Sequence, residues 1–155
     1  MSAADKWLDE YGRNHGHAAN KALHWVCVPL IVASLIGLLW SLPVPETFRQ
    51  SSPVLNWGTL FIMASVVYYF ILSLSLAFGI LPFLVLVVVI VSRLDGLETP
   101  LWLISGVVFA LAWAGQFIGH RIEGKPPSFF QDLQYLMIGP LWLLAAVYRR
   151  LRIPY

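Results

Sequence analysis

Three of the chain's four histidines, His15, His17 and His24, fall within ten residues of "RNHGHAANKALHW", and the fourth, His120, lies in "WAGQFIGHRIEGKPP". Each segment stands where an apolar run begins or ends. Neutral imidazole is the commonest metal ligand among side chains. Helical positions three, four or seven apart share a face, which groups His17, Asn20 and His24 on one helix and Gln116, His120 and Glu123 on another. Each face offers an amide and an imidazole, and the second adds a carboxylate. Imidazoles with an oxygen ligand suit iron, zinc or copper, whereas a single cysteine, Cys27, argues against thiolate-zinc and iron–sulfur sites. Nitrogen-rich ligation with open positions is what ferrous iron needs to take both dioxygen and a chelating substrate. Spacing alone does not choose iron over zinc. The plainer alternative is a set of interfacial histidines that hydrogen-bond to carbonyls or water and bind nothing.

The elements that would position these residues belong to a membrane protein. Of 155 residues, 59% are hydrophobic and 12% charged, and the mean hydropathy is +0.74. A soluble domain normally carries about twice that charged fraction, and one soluble core of this size would not bury so much apolar side chain. A single membrane-embedded domain over 1–155 is expected. The net charge is only +2, with basic residues scattered at the ends of apolar segments, so nucleic acid is not an expected partner. Neither a cleaved signal peptide nor an Asn-x-Ser/Thr acceptor fits the sequence.

Four crossings are expected. The first runs from about Trp25 to Leu42 and ends at "SLPVPETFRQSSP". The apolar stretch Leu55 to Val91 would be roughly 55 Å long as one helix, nearly twice the ~30 Å hydrocarbon core, so it must fold back on itself. The break is expected in "SLSLAFGILP", where Ser73, Ser75, Gly79 and Pro82 interrupt the apolar pattern. The last clear span covers about Leu101 to Ile118. An even number of crossings returns the chain to its starting side and brings His15, His17, His24 and His120 to one face. Lys6, Arg13, Lys21, Arg121 and Lys125 fall on that face, against Arg49 and Arg93 on the other, which marks it as cytoplasmic. The final stretch, "YLMIGPLWLLAAVYRRLRIPY", is short and interrupted by Gly139-Pro140, and reads as a re-entrant or interfacial helix. The expected fold is therefore an all-α integral membrane protein with about four transmembrane helices plus that C-terminal helix. A bacterial inner membrane and an endoplasmic-reticulum membrane fit equally well.

No Gly-rich phosphate loop, Gly-x-Ser-x-Gly elbow or His-Glu-x-x-His segment occurs. Two motifs do stand out: Tyr11, His15, Asn20, His24 and Pro29 in "DEYGRNHGHAANKALHWVCVPLI", and Gln116, Phe117, Gly119, His120, Glu123 and Pro127 in "QFIGHRIEGKPPSFFQDLQYLMIGPLW". Together they resemble the 2-hydroxy fatty acid dioxygenase family, small membrane proteins that include the yeast enzyme of phytosphingosine degradation and bacterial relatives. The resemblance spans nearly the whole chain. It implies an Fe(II)-dependent oxygenase that shortens a 2-hydroxy fatty acid by one carbon through α-oxidation, with dioxygen and without 2-oxoglutarate. The substrate's carboxylate and hydroxyl would chelate iron while its tail lies among apolar helices in the bilayer.

Carried over residue by residue, the resemblance implies His15, His24 and His120 as iron ligands, with His17 as a further candidate. Helical facing groups His17 with His24, whereas the family motif selects His15; Gly16 permits a turn that swings His15 toward the site. Glu123 is either a ligand or a carboxylate that orients an imidazole or pairs with Arg121 or Lys125. Asn20 and Gln116 would orient a ligand or the substrate carboxylate, or else bond between helices. Tyr11 would reach the substrate or anchor the interface. Asp132 suits a helix start in "FFQDLQYL". Lys21 and Arg121 would attract a fatty carboxylate, although positive-inside placement explains both. The competing function is a membrane metal-binding transporter or sensor. It is disfavoured because the spans carry no ionisable groups near the midplane between Pro29 and Gly119.

Overall fold

A computed structural model of the chain describes residues 3–13, 15–124 and 135–155. Among them the chain is helical and carries no strand. The elements are α1 (Ala3–Arg13), α2 (Ala18–Trp40), α3 (Glu46–Ser51), α4 (Trp57–Leu72), α5 (Leu74–Asp95), α6 (Leu101–Glu123), a 3₁₀ turn (Tyr135–Met137) and α7 (Ile138–Leu151). Lys125, Pro127 and Asp132 lie outside the described residues.

Local chemistry explains most of the boundaries. The polar segment before Trp25 is already helical: α2 starts at Ala18 with His17 as its N-cap, seven residues ahead of the apolar run. Helix α4 opens with a reciprocal cap in which Thr59 N–H donates to Asn56 Oδ1 (3.0 Å) and Asn56 N–H donates to Thr59 Oγ1 (2.9 Å). Helix α6 follows Pro100 and stops at Gly124, whose φ of 74° is the left-handed conformation that glycine adopts without a Cβ penalty.

The long apolar stretch folds back at one residue. Ser73 is extended (φ −163°, ψ 123°); its N–H donates to Tyr69 C=O at 2.9 Å, closing α4, and its Oγ accepts from Leu76 N–H at 3.4 Å, opening α5. Ile62 and Leu84 then line one small cavity with Tyr69, although an unbroken helix would hold them about 33 Å apart. The three other expected breakers, Ser75, Gly79 and Pro82, lie within α5 and do not break it. Gly79 makes room for α7, since a Cβ there would lie 2.8 Å from Tyr148 Cζ and 3.0 Å from Leu144 Cδ2.

Helices α2, α4, α5 and α6 alternate in direction. Along α2 and α6, Asn20 faces Gly119, Cys27 faces Gly115 and Gly37 faces Ser105, an antiparallel pairing of small residues that lets two backbones approach closely. At the far end Gly58 of α4 meets Ile36 and Trp40 of α2, and Val87 and Val91 of α5 join Val32, Ile36 and Leu101 in a core cluster. The start of α2, the Ser73 turn and the end of α6 therefore share the opposite end. Helix α7 crosses that end: Gly139 lies against Val28, while Tyr148 Oη donates to Ser75 C=O at 3.1 Å. Pro140 falls in its first turn, where the missing N–H would have no helical partner anyway. Gly139-Pro140 thus begins a helix instead of interrupting one. Helix α1 packs on α7 through Leu8, Tyr11, Leu141 and Trp142.

Three helices, α2, α5 and α6, are long and apolar enough to cross a membrane; α4 is apolar but shorter, at 16 residues. Large apolar side chains such as Val26, Met63, Ile71, Val85 and Leu111 are exposed around the bundle. That surface is compatible with insertion in lipid and is far more than a soluble monomer usually leaves bare.

Candidate metal centre

The site forms where α1 turns into α2 beneath the last turn of α6. His15 follows α1 in a tight turn, its N–H donating to Gly12 C=O at 3.1 Å. Its Nδ1 lies 2.7 Å from Tyr11 C=O, and Nδ1 of His24 lies 2.9 Å from Asn20 C=O. A carbonyl only accepts, so each Nδ1 carries the proton, and in the neutral rings each Nε2 is a bare lone pair. Those two Nε2 atoms lie 2.8 Å apart. Two bare acceptors at that distance repel, and a shared cation, either a proton or a metal, reconciles them.

His120 completes a trio. One ring nitrogen from each of His15, His24 and His120 lies within 4.8 Å of the others, and the His120 ring centroid is 5.5 Å from that of His15 and 5.4 Å from that of His24. All three rings are buried. Metal–nitrogen bonds of about 2.1 Å place neighbouring ligand nitrogens roughly 3 Å apart, so the His15–His24 pair is already at ligating separation. Carbonyl partners on the far nitrogens are the usual support for metal-bound imidazole. The donor set therefore fits a divalent metal with three protein nitrogens and open positions. Tyr11 stacks on His15 (centroids 4.3 Å, interplanar angle 20°), and Trp142 of α7 lies 5.3 Å from the same ring. Two aromatic rings thus pack against His15.

Glu123 lies outside the trio and does different work. Its Oε1 accepts from Gly16 N–H (2.7 Å), and its Oε2 accepts from His17 N–H (2.8 Å) and Asn20 Nδ2 (3.1 Å). An anion at the N-terminus of α2 is well placed for the exposed amides and the helix dipole, and it ties the turn carrying His15 to α6. Gly16 is not left-handed, because Gly124 is the positive-φ glycine among the described residues. What Gly16 supplies is space, since a Cβ there would come within 3.0 Å of Glu123 Oε1. His17 is exposed, and its Nδ1 accepts from Ala19 N–H at 3.2 Å, so its imidazole caps α2 away from the other three. Lys21 and Arg121 are exposed.

The two amides are buried one turn before His24 and His120 respectively. Asn20 Oδ1 and Gln116 Oε1 have no hydrogen-bond partner among the described residues. Gln116 lines a cavity of ≈ 30 Å³ together with Tyr11, His24, Val28, Trp113 and Gly139. Trp142, Trp113 and Tyr135 were not legible as site residues. They sit among many other aromatics in apolar sequence, and only the crossing of α7 over the bundle brings Trp142 to His15.

A family model described as "2-hydroxy-palmitic acid dioxygenase Mpo1-like" matches residues 1–151. No curated protein and no solved structure matches the chain significantly.

Proposed function

The chain belongs to the Mpo1-like family, and from that premise and the three-imidazole site we propose that it is an Fe(II)-dependent dioxygenase converting a 2-hydroxy fatty acid into the fatty acid one carbon shorter. The observation that carries this reading is the pair of bare Nε2 atoms of His15 and His24 at 2.8 Å, with His120 beside them. Zinc has no redox chemistry, so an oxygenase reading favours iron at a site of neutral nitrogen donors. Iron held there supplies the redox chemistry with dioxygen. His15, His24 and His120 are the ligands, with the Tyr11 and Asn20 carbonyls holding the first two rings in the ligating tautomer. Glu123 fastens the His15 turn to α6, and His17 stays outside as a helix cap. Tyr11 and Trp142 pack against the His15 ring.

The tail of such a substrate has a place to lie. Between α2, α5 and α7 runs an apolar groove of ≈ 190 Å³ lined by Trp25, Pro29, Ile80, Phe83, Pro140 and Leu144. Val28 and Gly139 line the site cavity, and the next residues, Pro29 and Pro140, line this groove. An acid whose carboxylate reaches the trio can thus extend its chain into lipid-facing apolar surface. In the bilayer α2, α4, α5 and α6 form four crossings of one domain, α7 lies along the interface, and the site opens to the cytoplasm. The greater number of Lys and Arg at the site end supports that orientation.

The direct test is to load the protein anaerobically with ferrous iron, add 2-hydroxypalmitate and dioxygen, and look for the C15 acid. Folded, iron-loaded protein that forms none overturns the enzymatic reading. A C-terminal tag reached only from the non-cytoplasmic side overturns the interfacial placement of α7.

A further inference from the structure

Gln116 stands out among the buried polar groups because its carbonyl is unmatched where a ligand would fit. The residue is 5% exposed, lies one turn before His120 on the same face of α6, and lines the ≈ 30 Å³ cavity beside His24. Its Oε1 has no partner among the described residues. Buried polar groups are ordinarily hydrogen-bonded, and each exception calls for a physical reason, a bound group or a catalytic role among them. Asn20 Oδ1 is also unpaired, but Asn20 does not line the cavity; its amide nitrogen is held by Glu123 and its side chain is packed under Gly119.

We propose that Gln116 selects the hydroxylated substrate, its Oε1 accepting a hydrogen bond from the 2-hydroxyl group. The inference rests on the proposed function and adds to it the residue that reads the hydroxyl. An acceptor demands a donor, and among the groups the substrates bring only the hydroxyl offers one: an ionised carboxylate and dioxygen have no proton to give. The size agrees, because the cavity has room for one or two water-sized groups and not for an acyl chain. A site built around such a bond rejects an analogue lacking the hydroxyl more strongly than an apolar pocket could, because binding the analogue strands the carbonyl.

The test compares 2-hydroxypalmitate with 2-fluoropalmitate, which is similar in shape and has no donor. Binding is followed without turnover in protein loaded with cobalt(II), through the ligand-field absorption of the metal. Wild-type protein should prefer the hydroxy acid. Gln116→Met, close in length and without the amide, should retain stoichiometric metal and lose about tenfold of that preference, the worth of one hydrogen bond. Comparing the two preferences cancels whatever the hydroxyl gains from the metal itself. A preference unchanged in Gln116→Met overturns the assignment of Gln116 while leaving the proposed function standing. Wild-type protein that holds cobalt but binds neither acid overturns both. Should Gln116→Met lose metal, Gln116→Glu keeps an acceptor at the same reach and must keep the preference, and its loss there also overturns the proposal.

Discussion

Nε2 of His15 and Nε2 of His24 face each other at 2.8 Å, each ring held by a bond from Nδ1 to the backbone carbonyl four residues before it, Tyr11 C=O and Asn20 C=O. The same device is used twice, once in a turn and once in a helix. Each carbonyl fixes a ring's rotation and its tautomer together, so the metal-facing lone pairs exist before any metal arrives. Two lone pairs at that separation repel, and a cation shared between them offsets the repulsion.

That relationship predicts metal-linked stability. Ferrous iron, or zinc as a redox-silent substitute, should raise the unfolding temperature, and a chelator should lower it; ligand at 100 times its Kd is worth about 2.7 kcal/mol. His15→Ala, His24→Ala and His120→Ala should each abolish metal retention and the thermal response. His17→Ala should keep both and lose about 0.5–1 kcal/mol through its cap. Metal content and thermal scans on the four variants decide the ligand set, and equal loss in His17→Ala would make it a ligand.

Much of this was legible in sequence, and the reasons for the exceptions are physical. Apolar length alone required the fold-back between Leu55 and Val91, and the even alternation of helices brings the start of α2 to the end of α6. The exact turn was not legible because Gly79, Pro82 and Ser73 look alike as breakers; Gly79 answers to Tyr148 on α7, 69 residues later in the chain. His15 and His17 were similarly ambiguous. Helical phase favours His17 only if the helix already includes it, and α2 starts one residue after it. Glu123 reads in sequence as a ligand, or as a carboxylate that orients an imidazole or pairs with Arg121 or Lys125; that it takes the Gly16 and His17 amides and the Asn20 side chain instead depends on where α2 starts. Trp142 carried no signal at all.

Glu123 should behave as a tether for the His15 turn. Glu123→Gln replaces a carboxylate that accepts from Gly16, His17 and Asn20 with a group whose NH₂ faces donors. Metal affinity should fall about 10–100-fold, as for other partners that position ligands, with full stoichiometry recovered at higher metal. Metal titration separates this from His24→Ala, which should not recover. Failure of Glu123→Gln to bind at any concentration would make the carboxylate a ligand.

The glycines between α2 and α6 should be intolerant in proportion to what they face. A Cβ on Gly119 would run into Asn20 Oδ1 and lie 3.4 Å from Leu23 Cδ1, so Gly119→Ala should cost about 1–3 kcal/mol and weaken metal binding by displacing Asn20. Gly106 meets nothing within 4 Å, and Gly106→Ala on the same helix should gain up to about 1 kcal/mol from helix propensity. Denaturation of the two variants in one detergent gives the comparison. Equal effects would remove the close α2–α6 approach as a constraint on the site.

The groove between α2, α5 and α7 predicts a chain-length filter. Leu144 and Phe83 line it with Pro29 and Pro140, and Leu144 is only partly buried, so a larger ring there fills the groove without entering the core. Leu144→Trp should lower kcat/KM for 2-hydroxypalmitate by about tenfold or more, the loss expected when a few methylenes are denied burial at roughly 0.8 kcal/mol each. A C8 or C10 2-hydroxy acid, whose tail ends sooner, should be affected much less, and metal content should not change. Competition assays with a graded series of 2-hydroxy acids read the shift directly. A uniform loss across all lengths would place the tail elsewhere, because only a chain that reaches Leu144 can sense its size.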